Sequence, residues 1–162
     1  MADSLITDEM RAAIGVPSEP TILEADRTSI RMFARSVGHT DPIYFDVEEA
    51  RKVGYRDIPC PPGYLGTPIF SHATSDPTNS RRRGQGELQP SRPLTRRLNG
   101  GTEIEYLGDI CAGDVLTSVT ALADVQERKG GIGDMLITTS KTTYRNQDGA
   151  VVAIMTGTGI RY

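Results

Sequence analysis

The stretch from His39 to Tyr44 carries side chains that could take part in proton chemistry. The imidazole of His39 could orient a water or a substrate carbonyl, since the ordinary pKa of this group is about 6.5. The phenol of Tyr44 is a poor base at neutral pH, because its ordinary pKa is about 10. Two simpler roles stay open. His39 follows a helix end and could be a surface or capping residue, and Tyr44 could pack its ring and hydrogen-bond its hydroxyl.

Gly63 follows two prolines and begins an apolar segment, 63–73, that could form a buried helix. A glycine at the entry of such a helix lets a carbonyl oxygen approach the free amides and the positive end of the helix dipole. The alternative is a turn glycine that the two prolines require. Pro68 removes one helical amide, so the helix is either kinked there or begins at Thr67.

Arginine is concentrated between residues 81 and 97, where six of the eighteen basic residues lie within seventeen positions. Guanidinium groups bind phosphate groups well, although a solvated loop accounts for the same pattern. Nucleic acid is disfavoured, because no recognition fold accompanies the patch and the chain has a net charge of -3. The six residues are Arg81, Arg82, Arg83, Arg92, Arg96 and Arg97.

Helices that would position these residues are predicted from apolar spacing and from capping residues. Residues 27–37 are apolar at helical intervals, with Asp26 as N-cap and Gly38 where a left-handed C-cap residue is expected. A second helix is predicted at 47–53, because Asp46 and an acid three residues later resemble a capping box. A shorter helix is predicted within residues 7–14.

The second half of the chain is rich in Val, Ile and Thr and predicts consecutive antiparallel strands joined by Gly-rich turns. Before them, residues 74–97 have no hydrophobic period and predict a long loop. The predicted helices lie in the first half of the chain and most of the strands in the second half. This order indicates an α+β fold with the helices on one face of an antiparallel sheet. The predicted strands are 21–24, 102–106, 115–126, 135–144 and 151–160.

Length and composition indicate one globular domain over residues 1–162, with 1–20 as an N-terminal extension. Cys60 and Cys111 form no ligand cluster, so neither a metal site nor a disulfide framework is expected. No signal peptide and no long apolar run are present, which favours a cytoplasmic protein without membrane spans. Aromatic residues are 6% of the chain, which makes base stacking an unlikely function.

Three ordered blocks resemble the MaoC-like hot-dog hydratases and dehydratases, which act on acyl thioesters. Residues 38–44, followed by five residues and Ala50, are similar to the family signature GDxNPxH-x5-A. Gly54-Tyr55 and then residues 62–65 resemble the segment that leads into the central helix. Residues 112–116 resemble the AGDxL turn before a long strand. Together the blocks cover about residues 27–162, and three in order are a more specific signal than one.

The resemblance implies a hot-dog fold, a long antiparallel sheet wrapped around a central helix, with an active site at the signature. In active members an Asp and a His there activate water for addition to a 2-enoyl thioester. This chain has His39 and Tyr44 at those two positions, Asp41 at the Asn position, and Pro62 at the His before the helix-entry glycine. The usual dyad is therefore missing. By family analogy, Gly63 would contact the thioester oxygen as an oxyanion-type donor.

The pattern resembles the FAS1-like, N-terminal branch of the family, which includes the non-catalytic subunit of mycobacterial hydroxyacyl-thioester dehydratases. The resemblance implies an acyl-thioester-binding subunit of a 2-enoyl-CoA hydratase or 3-hydroxyacyl dehydratase, whose dyad comes from a partner. It would act as a homodimer or a heteromer on acyl-CoA or an acyl carrier protein thioester, without a further cofactor. The expected binding residues are Pro62, Gly63, Tyr64, Arg81, Arg82 and Arg83, the arginines facing the phosphates of coenzyme A.

Two alternatives remain from the same residues. One is an active homodimer that uses His39 with Asp41 or Tyr44 on an unusual enoyl or fumaryl thioester. The other is a module that binds acyl thioesters and has no enzymatic activity.

Overall fold

A five-stranded antiparallel sheet and three short helices form the part of the chain that the computed structural model describes, residues 4–66, 88–131 and 133–162. The predicted α+β class is confirmed. The helices are α1 Asp8–Ala13, α2 Arg27–Ser36 and α3 Val47–Lys52. The strands are β1 Thr21–Glu24, β2 Arg97–Tyr106, β3 Val115–Gly130, β4 Gly133–Arg145 and β5 Val151–Arg161.

The predicted helix starts are confirmed because each depends on a local hydrogen bond. The Asp26 carboxylate accepts hydrogen bonds from the amides of Thr28 and Ser29 at 2.9 and 3.0 Å. Asp46 does the same at α3, where it accepts from the two amides that follow Val47. These bonds satisfy amides that have no partner within the helix. The first strand, β1, has the predicted bounds.

The strand order β1-β3-β4-β5-β2 corrects the prediction that the four strands of the second half are consecutive neighbours. Hairpins join β3 to β4 and β4 to β5, as predicted, but β2 pairs with β5 at the far side of the sheet. Its register places Ile104 opposite Met155 and Tyr106 opposite Ala153. The sequence shows local turns, whereas the pairing of β2 depends on residues some fifty positions later.

Two strand bounds differ from the prediction by four residues or more, and the bounds of β4 and β5 differ by at most two. The strand β2 begins at Arg97 rather than at 102, so the predicted loop 74–97 ends one residue earlier; residues 74–87 lie outside the described chain. Residues 99–101 are Asn-Gly-Gly, which are poor strand formers, yet pairing with β5 holds them and produces a bulge there. The strand β3 continues past the predicted end to Gly130, which pairs with Gly133.

The main core lies between the sheet and α2, where Ile30 and Ala34 are fully buried. Because these two residues are four apart, they lie on one face of the helix and pack together. The partly buried ring of Phe33 joins the same core. The other buried members are Leu23, Ala25, Ile58, Tyr64, Leu65, Ile110, Leu116, Tyr144, Val152 and Ala153.

A second core cluster fixes the N-terminal segment to the sheet. Leu5 and Met10 are buried against Val125 and Leu136 of strands β3 and β4. The amide of Leu5 and the hydroxyl of Ser4 also donate hydrogen bonds to a carboxylate of β3 at 3.0 Å. The segment predicted as an N-terminal extension is thus packed on the domain in its described part.

The predicted central helix, 63–73, lies mostly outside the described residues. Its described part is a short 3-10 turn at Tyr64–Gly66, in which Tyr64 and Leu65 are buried. Thr67 and Pro68, on which the kink depended, lie outside the described residues, as do Arg81, Arg82 and Arg83.

We expect Met10→Ala to lower the free energy of unfolding by about 2 to 5 kcal/mol, because the side chain is fully buried and its removal leaves a cavity. Urea denaturation would measure the loss. The matched control is Met32→Ala, because the side chain of Met32 is 67% exposed on α2 and should lose little. Equal losses for both variants would show that residues 4–17 are not part of the cooperative core.

Candidate functional site

The end of α2 fixes the backbone of His39. Gly38 has a φ of +79°, a left-handed conformation that favours glycine, and its amide bonds to the Arg35 carbonyl. The amide of His39 donates to the Ala34 carbonyl at 2.9 Å, which completes a Schellman motif. The backbone of His39 therefore caps the helix, while its half-buried ring is directed elsewhere.

That ring packs against Tyr44, and the two ring centroids are 4.9 Å apart. Tyr44 ends a 3-10 turn, Pro42–Tyr44, that is capped by Asp41, whose carboxylate accepts a hydrogen bond from the Ile43 amide at 3.1 Å. Asp41 is otherwise exposed. The turn thus brings His39 and Tyr44 together and commits one oxygen of Asp41 to a cap.

Burial raises the pKa of Tyr44, and the nearby ionisable groups of Tyr55 and Asp41 raise it further. The phenol therefore keeps its proton at neutral pH. It can donate or accept a hydrogen bond, but it cannot serve as a base there.

The segment that carries the three prolines of 59–62 lies beside the chain before β3. The amide of Cys60 donates to the Ile110 carbonyl at 2.7 Å, and the amide of Ala112 donates to the Ile58 carbonyl at 2.8 Å. Pro59 and Cys111 form an isolated antiparallel bridge between these two bonds. Residues 58–60 thus run antiparallel to 110–112, which determines where Pro62 and Gly63 lie.

A buried carboxylate holds this arrangement together. Asp114 is 1% exposed, and it forms a salt bridge with Arg56 at the start of the proline segment. Its two oxygens also accept hydrogen bonds from the Cys111 amide at 2.9 Å and from the Gln147 side chain at 3.1 Å. Burial alone would raise the pKa of Asp114, but these hydrogen bonds and the guanidinium outweigh it and lower the pKa.

Gly63 follows this segment with a φ of +87°, and its amide donates a hydrogen bond to the Tyr106 hydroxyl at 3.1 Å. The amide expected to contact a thioester oxygen therefore has a phenol oxygen as its partner. Burial raises the pKa of Tyr106, against the opposing effect of that amide. The protonated phenol at the end of β2 thus occupies the acceptor position next to Gly63.

Tyr64, expected to bind substrate, points into the core. Its ring packs edge-on against Phe33 with centroids 5.7 Å apart, and its hydroxyl lies 2.6 Å from the Ser29 hydroxyl oxygen. Burial raises its pKa, although the hydrogen bond with Ser29 lowers it. These contacts hold the entry of the predicted central helix against α2.

A cavity of about 200 Å³ lies where these parts meet. It brings together the signature residue Tyr44 and the helix-entry residue Pro62, which are eighteen positions apart in the chain. His39 lies behind Tyr44 and is not part of the lining. The lining residues are Tyr44, Tyr55, Pro59, Cys60, Pro62, Tyr106, Gly108, Asp109 and Ile110.

Several residues of this site were not predicted from the sequence. Tyr55 belongs to a block that the family resemblance singled out, but no chemical role was attached to it. Tyr106 ends a strand and has no motif around it, so nothing local indicates that it reaches Gly63. Cys60 lines the cavity, and burial raises the pKa of its thiol, which therefore stays protonated.

Within residues 4–66, 88–131 and 133–162, no three His, Cys, Asp or Glu side chains cluster closely enough to hold a metal ion. In the same residues, no helix is both long and apolar enough to cross a membrane.

The fold is a hot-dog fold, as the resemblance implied, because it superposes on solved MaoC-like hot-dog dehydratases. A protein described as a MaoC-like dehydratase gives a TM-score of 0.74 at 21% identity, over 93% of this chain and 42% of the other. The ChsH1-ChsH2 complex from Mycobacterium tuberculosis gives 0.72 at 18% identity, over 95% and 92%. The HadBC (3R-hydroxyacyl-ACP dehydratase) complex from the same organism gives 0.70 at 19% identity, over 91% and 96%.

The chain belongs to the family described as FAS1-like, dehydratase domain region, whose family model matches residues 12–155. A UPF0336 protein of Streptomyces avermitilis is 30% identical over 116 residues, which are 70% of this chain and 69% of that protein. A UPF0336 protein of Leifsonia xyli is 30% identical over 140 residues, or 86% and 87%. The chain is therefore of the hydratase and dehydratase kind.

We expect Asp114→Asn to lower the free energy of unfolding by about 2 kcal/mol at pH 7, because it removes a buried charge that accepts hydrogen bonds from a half-exposed Arg56 and from two other groups. A carboxylate whose pKa is lowered by folding contributes this stability above its unfolded pKa of about 3.9 and loses it as the pH falls through its folded pKa. The difference between the two proteins should therefore shrink in urea titrations below about pH 4.

The control is Asp148→Asn, which makes the same change at an exposed position in the turn before β5. It should leave both the stability and its pH dependence close to those of the wild type. A constant difference between Asp114→Asn and the wild type from pH 7 to pH 3 would contradict the charge-based role of Asp114.

Proposed function

We propose that this chain is the acyl-thioester-binding subunit of a 2-enoyl-thioester hydratase or 3-hydroxyacyl-thioester dehydratase, and that a partner subunit supplies the catalytic Asp and His. The cavity between the signature loop and the helix entry would hold the acyl thioester, carried by coenzyme A or by an acyl carrier protein. No further cofactor is required, because the reaction adds or removes water.

The chemistry of the cavity is the observation that carries the proposal. Water addition needs a group that accepts a proton in the transition state. The cavity has Tyr44 and Tyr106, both of which keep their protons at neutral pH. Asp41 is used as a cap outside the lining. The lining also has a carboxylate, Asp109, but no imidazole among the described residues, so the Asp and His pair of the active members is missing from these walls.

The hydrogen bond that the Gly63 amide already makes supports the same conclusion. An oxyanion donor must direct its N–H at the place where the substrate oxygen will lie. In this chain the Gly63 amide already donates to Tyr106, so a thioester oxygen would have to displace the phenol. Loss of the hydrogen bond to the phenol would offset part of what a substrate oxygen gains at this amide.

Features of the fold and its relatives support a heteromer. Two of the similar solved structures, HadBC and ChsH1-ChsH2, are complexes. In this chain β2 pairs with β5 along one side, while its residues are largely exposed, including Leu98 at 54%. A long exposed edge strand offers backbone groups for pairing with another chain, so β2 is a suitable place for the partner.

The arginine cluster gives less support to binding of the carrier's phosphates, because two of its described members already have partners within the chain. Arg92 forms a salt bridge with Asp134, and the backbone of Arg96 pairs with that of Tyr162. The role proposed for Arg81, Arg82 and Arg83 in binding coenzyme A stays a prediction from the sequence.

We expect the pure chain to give no hydration of crotonyl-CoA above the protein-free rate, since the described lining of its cavity has a carboxylate, Asp109, but no imidazole to share a water with it. Loss of the enoyl-thioester absorbance measures the reaction. A pull-down from the native cell should recover a MaoC-like protein with intact Asp and His, and activity should appear when the two are mixed. Rapid turnover by the isolated chain would refute the proposal.

One contact favours a second candidate, the active homodimer. His39 is half-buried and its ring touches Tyr44, so a proton could pass from the cavity through the phenol to the imidazole. In this case His39→Ala should lower kcat by about 10² to 10⁴, the usual contribution of general acid or base catalysis.

Under the partner proposal, His39→Ala in the reconstituted complex should keep a rate close to that of the wild type. Thr40→Ala, an exposed change in the same loop, is the control for effects on loop packing. Thioester binding without turnover in any complex would instead favour the non-enzymatic module.

A further inference from the structure

The helix α2 carries three arginines and no acidic residue, although the whole chain has a net charge of -3. Arg27, Arg31 and Arg35 are spaced four apart, so they form one stripe along the helix. All three are exposed, as is most of the helix surface that faces away from the sheet.

Two of these arginines differ from the other basic residues of this region. Between residues 27 and 56 the chain has six basic side chains, and four of them form salt bridges with carboxylates: Arg27, Arg51, Lys52 and Arg56. Arg31 and Arg35 form none with any residue that the structure describes. The charge of Arg31 helps to lower the pKa of Asp46. The Asp46 carboxylate nevertheless accepts its hydrogen bonds from two α3 amides and not from Arg31.

An exposed apolar side chain lies between the two arginines. Met32 is 67% exposed, the largest exposed fraction among the large apolar side chains that are described. Thr28, Arg31, Met32, Arg35 and Ser36 line a shallow groove. Methionine and arginine are both enriched in protein interfaces, since one adapts its shape and the other forms several hydrogen bonds.

The same face is connected to the candidate site. The Nε of Arg31 donates a hydrogen bond to the Phe45 carbonyl at 2.9 Å, directly after Tyr44. The helix itself ends at the Schellman motif that holds His39. A protein bound at Arg31 would therefore contact the loop that carries the signature residues.

We propose that this surface, formed by Arg31, Met32 and Arg35 and named here the α2 face, docks the acidic carrier protein that delivers the acyl thioester. The identity of the partner rests on the proposed function, whereas the need for an acidic surface rests on two guanidinium groups that form no salt bridge with any described carboxylate. Charge complementarity steers such encounters, and Met32 adds an apolar contact at the centre. The phosphates of coenzyme A would use the guanidinium groups but would leave Met32 without a role.

The test uses apo acyl carrier protein of the same organism, labelled for fluorescence anisotropy, with the full chain. Wild-type binding should weaken as salt rises. Reversing both charges with Arg31→Glu and Arg35→Glu should weaken it at least about tenfold, and Met32→Ala about threefold. Because Arg31 also holds the signature loop, Arg35→Glu alone is measured as well and should give a loss of about fivefold.

The matched control is the pair Arg11→Glu and Arg128→Glu, which makes the same charge change at exposed residues of α1 and β3 and should lose less than about twofold. Binding of crotonyl-CoA, measured separately by calorimetry, should be unchanged by Arg35→Glu. Carrier binding that is absent in the wild type, or equal in the α2-face and control pairs, overturns the proposal. A loss of crotonyl-CoA binding without a loss of carrier binding also overturns it, because the arginines would then bind the phosphates of coenzyme A. A changed oligomeric state of the α2-face variants overturns it as well, because the face would then contact a second copy of the chain.

The apo carrier protein separates this proposal from the proposed function, because it bears no thioester. If it binds through the α2 face while crotonyl-CoA does not bind at all, the docking surface stands and the thioester site fails. If crotonyl-CoA binds and the carrier does not, the reverse conclusion follows.

Discussion

The site of this protein depends on one buried carboxylate. A charged group without water is costly unless it is paired and hydrogen-bonded, and Asp114 meets this condition through Arg56, the Cys111 amide and Gln147. These partners come from three separate stretches of chain. The proline segment 58–62 offers few amides of its own, so its position relative to β3 has to be held from outside. The carboxylate and the adjacent backbone bonds supply that support.

The cavity combines walls of different origin. The proline segment forms one wall, the 3-10 turn that ends at Tyr44 forms a second, and the chain around Tyr106 forms a third. Burial raises the pKa of both phenols, which keeps them neutral and able to donate hydrogen bonds. A cavity with these walls can recognise the oxygen atoms of a substrate, and its described lining has a carboxylate, Asp109, without an imidazole beside it. Under the proposed function, the scaffold would supply half of a binding site.

The parts that could be predicted from the sequence are those fixed by local hydrogen bonds. Asp26, Gly38 and Asp46 act on amides or carbonyls within a few residues, and the predicted helix limits agree closely with the observed ones. The pairing of β2 with β5 and the contact between Tyr106 and Gly63 join distant positions, and local patterns do not specify them. The sequence predicts only a turn at Asp114. Its partner Arg56 lies 58 positions earlier, so no local pattern indicates the buried salt bridge. The hot-dog fold itself was accessible because three motifs occur in the family order.

The signature loop keeps its shape without help from the side chains at the two signature positions. Its shape depends on the left-handed Gly38, on the cap at Asp41 and on backbone bonds of the 3-10 turn, none of which involves the imidazole or the phenol. The side chains of His39 and Tyr44 are therefore open to replacement so long as their rings still pack. A carboxylate and an imidazole that share a water could change into two contacting rings, since neither pair is required for the fold. The scaffold and the reactive side chains can therefore change independently of each other, which is the condition that the proposed division of labour between two subunits requires.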